Sequence, residues 1–401
     1  MSAPWLNIVG IGEDGMEGLS PAARALVESA EVIVGGDRHH RLSANVTAQR
    51  VAWPSPFDAM IETICSFRGR RIVVLVTGDP LWYSVGARIA RAIPPAEIRF
   101  HPQLSAFQFA ACRMGWSLAD CETLTIHGRP AEQIVPFFEP DARLLVLTRD
   151  GRSPTSVARL LVERGYGKSK LTVLASLGGA QERRIEGTAE GWDQSVPDFH
   201  TLAVECVAGA HATILPRTGL PDAGFRHDGK MTKQGVRALV LAKLAPVRGG
   251  VLWDIGAGCG SVGIEWMRAA REARAIGIEP KPERRALAAE NALALGTPAL
   301  ELVDGTAPEA LGELRQPDAV FIGGGLDASV VDAAIDALKS HGRLVANAVT
   351  LESETILLAM AGQHGGELTR LNIAHAEAIG SLHGWRPAMP VTMWSWRKGV
   401  A

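Results

Sequence analysis

The chain has 401 residues, of which 47% are hydrophobic and 43 are glycine, a composition of glycine-turned α/β domains that excludes a disordered or fibrous protein. Its 41 basic and 43 acidic residues leave a net charge of −2, without the basic bias expected of a nucleic-acid or anionic-membrane binder. Five scattered cysteines without a CxxC pair point to reduced thiols in a cytoplasmic protein with no metal site, and neither a leader nor a membrane-length apolar run is expected.

The first predicted strand, Leu6–Gly10, runs into Val9-Gly-Ile-Gly-Glu-Asp-Gly15. Gly10, Gly12 and Gly15 match the dinucleotide fingerprint G-x-G-x-x-G, yet Glu13 and Asp14 occupy the loop between them. A carboxylate about 5 Å from a phosphate charge, at an effective dielectric near 20, costs roughly 3 kcal/mol. Asp37 also follows Gly35-Gly36 instead of closing a strand. The loop is therefore not a pyrophosphate cradle. Ser20-Pro21 reads as an N-cap and first helical position, with the helix running to about Ala30. Strands follow at Glu31–Val34, Ile72–Thr77, Leu144–Thr148, Leu171–Ala175 and Leu202–Val207, with a helix at Pro154–Gly165. Pro216, Gly219, Pro221 and Gly224 then break the pattern, and a domain boundary is placed there, with residues 211–225 as linker between domains 1–210 and 226–401.

The second half restarts with a helix at Lys233–Leu244 and becomes a regular series. Strands are predicted at Val251–Ile255, Ala275–Glu279, Glu301–Val303, Ala319–Ile322 and Arg343–Asn347. Helices at Val262–Ala273, Glu283–Leu295 and Ser329–Leu338 alternate with them, which implies a doubly wound parallel sheet. The final Met-Pro-Val-Thr-Met-Trp-Ser-Trp stretch reads as a late edge strand. Asp254 closes the first of these strands, and Gly256, Ala257, Gly258, Cys259 and Gly260 turn the chain into a helix whose N-terminus favours an electronegative group. The spacing is GxGxG after an acid, with Ser261 where a dinucleotide site would have its third glycine. Glu279 closes the next strand, where a carboxylate accepts ribose hydroxyls, and Asp304-Gly-Thr-Ala307 closes the third.

These three elements resemble the class I S-adenosylmethionine-dependent methyltransferases. The resemblance implies a Rossmann-like domain with cofactor contacts at Gly256, Ala257, Gly258, Cys259, Gly260, Glu279 and Ala307, and a hydroxyl from Thr232. It puts the substrate side at the fourth strand, with Gly324. The first half is similar to the tetrapyrrole methylases, a fold of two α/β subdomains. That similarity is carried by the Gly10–Gly12 loop, by Thr77-Gly-Asp-Pro80 after a buried strand, and by His101-Pro-Gln-Leu-Ser-Ala106. It differs at Glu13, where the family has proline, and at Gln103, where it has glycine. It implies macrocycle contacts at Gly10 and Gly12, and cofactor contacts at Thr77, Gly78, Asp79, Ser105, Ala106, Thr148 and Gly178.

The two halves together, with Met231-Thr232-Lys233 leading into the second, resemble the decarboxylating precorrin methyltransferases of cobalamin biosynthesis. The resemblance implies two S-adenosylmethionine sites per chain, a tetrapyrrole (precorrin) substrate and a homo-oligomer, without nucleic-acid or membrane partners. C5 methylation falls to the first half, and C15 methylation with loss of the C12 acetate carboxyl to the second. A methyltransferase acting on protein or RNA is the alternative, and it calls for a basic or peptide-binding module. No acid/base pair is evident, so no catalytic residue is named. Arg38, His39, His40, Arg41, Arg129 and Arg386 are candidate clamps for substrate carboxylates.

Overall fold

A computed structural model describes residues 4–400. The chain divides into two compact units, one reaching Thr213 apart from residues 132–136, the other comprising 132–136 and Ile214 onward. No helix among the described residues is long and apolar enough to cross a membrane.

In the first unit, strands β1 (Leu6–Ile11), β2 (Val32–Val34), β3 (Gln49–Val51), β4 (Ile72–Thr77) and β5 (Ile98–His101) form a parallel sheet in the order 3-2-4-1-5. The inner strands β1, β2 and β4 are nearly continuous apolar runs because both faces are covered, whereas the edge strands β3 and β5 carry polar residues. Leu6, Ile8, Ile72 and Val74 meet Met60, Ile64 and Ile89 on one side, while Val9, Ile11, Val73 and Leu75 meet Ala23 and Val27 on the other. Ser20 caps the helix Pro21–Glu28 by accepting the Ala23 N–H. A second sheet follows, of β6 (Glu122–Thr125), β7 (Arg143–Leu147), β8 (Lys170–Ala175), β9 (Arg183–Thr188) and β10 (His200–Glu205) in the order 6-7-10-8-9. Only β6 and β7 pair in parallel there. The helix Ala106–Met114 lays Phe107, Ala110 and Ala111 against Leu145, Leu174 and Ala203 of this sheet.

The second unit contains β11 (Val251–Ile255), β12 (Arg274–Ile278), β13 (Glu301–Val303), β14 (Ala319–Ile322), β15 (Arg343–Ala348) and β16 (Glu367–Leu371). A hairpin of β17 (Ala374–Ile379) and β18 (Leu382–Pro387) then leads into β19 (Val391–Arg397). The seven-stranded sheet has the order 13-12-11-14-15-19-16, parallel through β15 and antiparallel beyond. This corrects the expectation of a late edge strand: β19 is hydrogen-bonded on both sides, and β16 forms the edge. Trp394 is fully buried and its indole N–H donates to the Gly365 carbonyl at 2.9 Å, as an interior strand requires.

Residues 214–233, rich in helix and strand breakers, are bound into the second unit by a buried ion pair. Arg237 on the helix Gln234–Leu244 and Glu265 on the helix Ser261–Ala269 are both inaccessible to solvent. The guanidinium donates to Glu265 at 2.5 Å, to Asp222 at 3.1 Å and to the Leu220 and Thr232 carbonyls. Glu265 in turn accepts the Gly219 and Leu220 N–H groups. The Phe225 ring lies 4.8 Å from the guanidinium carbon, and Leu220 and Phe225 are buried with Ile264, Ala292 and Leu295. Breaking a buried pair costs about 3–5 kcal/mol because a charge is left without a partner. A fragment starting at Ile214 is therefore expected to unfold cooperatively, whereas one starting at Arg226 lacks Gly219, Leu220 and Asp222. Arg237 and Glu265 keep each other there but lose those hydrogen bonds to buried charges, so stability should fall by about 3 kcal/mol or more, read as a lower urea midpoint. Equal midpoints would show that residues 214–225 are a dispensable linker.

Candidate active site

The acid–glycine loop of the second unit is shaped by backbone contacts at the carboxyl ends of the parallel strands. Gly256 has φ +72°, and a Cβ there would stand 2.7 Å from the Gly324 nitrogen, so this position and the turn after β14 touch backbone to backbone. Gly258 has φ +56° and its Cβ direction is nearly open. Glu279 is 3% exposed, and one carboxylate oxygen accepts the Gly258 N–H at 3.0 Å while the other accepts the Lys281 N–H at 3.1 Å. A carboxylate has about four lone-pair sites, so two remain for a ligand. Asp254 accepts the Gly263 N–H at 2.9 Å and fixes the start of the following helix.

These groups border a cavity of about 1290 Å³. Of the residues singled out from the sequence, Thr232, Gly256, Ala257, Gly258, Glu279, Ala307 and Gly324 line it together, with Gly305 and Thr306 beside them. Cys259 and Gly260 do not. Cys259 is buried behind the loop, where burial raises its thiol pKa and Asn291 donates to its carbonyl at 3.0 Å. Gly260 has φ +79°, and a Cβ there would meet Ala288 at 3.1 Å, so it serves the turn. The opposite wall is mostly apolar, with Phe321, Val349, Leu371, Ile373, Met389 and Val391. Lys233 of the Met231-Thr232-Lys233 lead-in lines the cavity too, as do Asn347 and Lys230, which were not singled out from the sequence because single polar residues carry no motif.

In the first unit the end of β1 and the loop after β4 meet. A Cβ on Gly10 would fall 1.8 Å from the Gly78 carbonyl oxygen, and one on Gly78 (φ +62°) would be 3.0 Å from the Ser105 Cα. Gly10, Gly78 and Ser105 thus converge at the carboxyl edge of the sheet. Asp79 closes its own turn by accepting the Leu81 N–H at 2.7 Å, and Ser105 caps the helix that begins at Ala106. Gly12 abuts the Asp14 carboxylate. Thr148, in the second sheet's region, donates its hydroxyl to the His200 carbonyl at 2.7 Å, and Gly178 (φ +80°) lies against the Phe109 ring.

Glu13 is neutralised locally. It pairs with Arg38, whose guanidinium lies 4.1 Å from the Phe199 ring centre and donates to the Thr77 hydroxyl at 2.9 Å. His39 accepts the Gly36 N–H through Nδ1 and reaches the same hydroxyl through Nε2 at 3.1 Å. Burial first, then the Arg38 charge, push its pKa down to about 4, so it stands neutral at physiological pH. Of the other candidate clamps, Arg386 pairs with Glu377 on the exposed hairpin, and Arg129 lines a separate cavity of about 380 Å³ beside Arg149 and Arg152. No metal-binding group of side chains occurs among the described residues.

Residues 6–192 match the family model of tetrapyrrole (corrin/porphyrin) methylases, and residues 223–398 match a precorrin methyltransferase domain. A Sinorhizobium sp. protein named precorrin-6Y C(5,15)-methyltransferase (decarboxylating) is 49% identical over 99% of this chain and 97% of its own length. A Salmonella typhimurium protein named cobalt-precorrin-7 C(5)-methyltransferase is 30% identical over 44% of this chain and 88% of its own. A Pyrobaculum calidifontis protein named "Probable cobalt-precorrin-6B C(15)-methyltransferase (decarboxylating)" is 38% identical over 40% of this chain and 87% of its own.

Burial raises the Asp254 pKa from 3.8 to about 7, and nearby Glu279 adds to the rise against the Gly263 hydrogen bond. The folded chain therefore holds a proton that the unfolded chain has released, and the stability of the second unit falls as pH climbs from about 4 to about 7. Asp254→Asn keeps an acceptor for the Gly263 N–H and removes the titration. Unfolding free energies from urea titrations at pH 5 and pH 8 should differ less in the variant than in the parent, by roughly 2.7 kcal/mol. An unchanged pH dependence would show that Asp254 ionises normally.

Proposed function

The chain belongs to the decarboxylating precorrin-6Y C5,15-methyltransferases, and from that membership we propose how its two units divide the reaction. It is an S-adenosylmethionine-dependent C-methyltransferase of cobalamin biosynthesis, methylating a reduced precorrin-6 at C5 and C15 and removing the C12 acetate carboxyl to give precorrin-8. The first unit carries C5 methylation, and the second carries C15 methylation with decarboxylation. Two relatives that each match less than half of this chain support the division, since one is named for C5 and the other for C15 with decarboxylation.

The observation that carries the reading is the cavity at the carboxyl ends of β11 to β15. At about 1290 Å³ it exceeds the roughly 300–1,000 Å³ of a pocket for one small molecule, which leaves room for a cofactor and a macrocycle together. The residues fit S-adenosylmethionine: Gly258 admits close backbone approach, the free lone pairs of Glu279 accept ribose hydroxyls, and Gly305–Ala307 border the base. Bound there, the cofactor supplies a methyl group already activated on a sulfonium. The protein's work is then alignment and exclusion of water, which the apolar wall of Phe321, Leu371, Ile373 and Val391 provides. The second cofactor site lies in the first unit, at Thr77, Gly78, Asp79, Ser105, Ala106, Thr148 and Gly178, with Gly10 and Gly12 facing the macrocycle. The convergence of Gly10, Gly78 and Ser105 supports it.

Calorimetry of the full chain with S-adenosylhomocysteine should give a stoichiometry near two. Glu279→Ala should weaken one of the two sites roughly tenfold or more through loss of charge-assisted hydrogen bonds. A stoichiometry of one would remove the first-unit site. Mass spectrometry tests the division of labour. With a reduced precorrin, the fragment from Ile214 should yield a product that gains one methylene and loses carbon dioxide, and the piece ending at Thr213 should then add one methylene alone. Decarboxylation by the first piece would reverse the assignment.

A further inference from the structure

We propose that Asn347 anchors the acceptor in the second unit, its amide oxygen receiving a hydrogen bond from a ring N–H of the tetrapyrrole. The proposal rests on the reading that this unit methylates a precorrin.

Alternation along β15 decides where Asn347 lies. Leu344, Ala346 and Ala348 belong to the apolar cluster on one face of the sheet. Val345 belongs to the other, with Val236, Val240, Phe321, Val391 and Met393. Asn347 follows Val345 on that second face, one rung further on, where the packed core gives way to the cavity that Asn347, Phe321 and Val391 all line. On the wall built from β14 onward, Asn347 and the exposed His375 are the polar side chains; the rest is apolar or glycine.

The Asn347 Oδ1 atom is buried and has no hydrogen-bond partner, and the amide nitrogen makes no hydrogen bond among the described residues. A buried amide oxygen without a donor is costly, so a ligand that brings one is favoured. The donors a tetrapyrrole carries at neutral pH are its ring N–H groups. Its side-chain carboxylates are ionised, can only accept, and would be repelled by the oxygen. The position suits the acceptor as well. β15 stands two strands from β11, whose end carries the glycine loop, and two strand spacings come to about 10 Å. Asn347 therefore sits across β14 from the cofactor loop, within reach of a macrocycle laid against the apolar wall.

Full-length Asn347→Leu and Asn347→Asp separate the possibilities. Leu removes the acceptor while keeping the branching at Cγ, and Asp keeps an acceptor oxygen while losing the donor. In both, calorimetric affinity for S-adenosylhomocysteine should match the parent, which reports an intact cofactor half. For the decarboxylating methylation, Asn347→Leu should raise the KM for the precorrin roughly tenfold with a smaller change in kcat. Asn347→Asp, which keeps the acceptor but adds a charge facing an anionic substrate, should raise it severalfold less than Asn347→Leu. A parent-like KM in Asn347→Leu overturns the proposal. So does a rise in Asn347→Asp as large as in Asn347→Leu, since the contact would then run through the amide N–H to a carboxylate. Should Asn347→Leu also lose S-adenosylhomocysteine binding, Asn347→Ala decides on the same readouts. A parent enzyme that turns over no precorrin overturns the reading beneath the proposal, and the proposal with it.

Discussion

Arg237 and Glu265 are withdrawn from water completely, and the second unit is organised around keeping that pair satisfied. Removing two ions from water costs several kcal/mol each, and attraction between them offsets this only when their remaining donors and acceptors are also filled. Here the missing partners come from main chain with no regular structure of its own: the Leu220 and Thr232 carbonyls and the Gly219 and Leu220 N–H groups. The segment is thereby held in one irregular path. Asn291 fixes its next stretch, exchanging hydrogen bonds with both backbone groups of Arg226 while also holding the Cys259 carbonyl behind the glycine loop. Residues 230–233, just beyond, become a wall of the cavity. The ion pair and Asn291 together thus tie an apparent linker to the cofactor loop.

Close backbone contact plays the matching part in each unit. Gly256 meets Gly324 turn against turn, and Gly10 near the end of β1 meets Gly78 in the turn after β4, both at the carboxyl ends of parallel strands. A side chain at either contact would force the turns apart, because the obstructing atoms are main chain and cannot rotate away. In the first unit this geometry coexists with acidic residues. The Glu13 charge is taken up by Arg38, and Arg38 is itself braced by Phe199 and Thr77. Of the two carboxylates in the loop, Glu13 is thus paired, while Asp14 stands exposed to solvent.

Much of the architecture was legible because it depends on local pattern. The apolar runs at Ile72–Thr77 and Val251–Ile255 are buried on both faces, so they stand out in the chain without knowledge of their neighbours. The Ser20 cap, the glycines at positive φ and the acid at each strand tip likewise follow from the chemistry of single residues. β16 was not legible: Glu367–Leu371 is a polar-looking stretch whose strand identity comes from pairing with β19. The strand β19 was visible, but its interior place depended on that same partner. In the second sheet β10 inserts between β7 and β8, an order that no local periodicity encodes.

The sequence by itself determined the two α/β halves, the acid–glycine loop with Glu279, and the family that these motifs resemble. It could do so because glycine spacing and strand-end carboxylates are constraints on adjacent residues. The tertiary structure alone decided which of those residues border a shared cavity, that Cys259 and Gly260 stand behind it, and that residues 214–233 are bound into the second unit. It alone brought Arg237 to Glu265, and Arg38 to both Glu13 and Thr77. Asn347 acquired its meaning the same way, since an unpartnered amide is recognisable only once every neighbour that might have paired with it is in place. Such facts depend on which distant groups meet and on what water no longer reaches, and neither is written in the order of the residues.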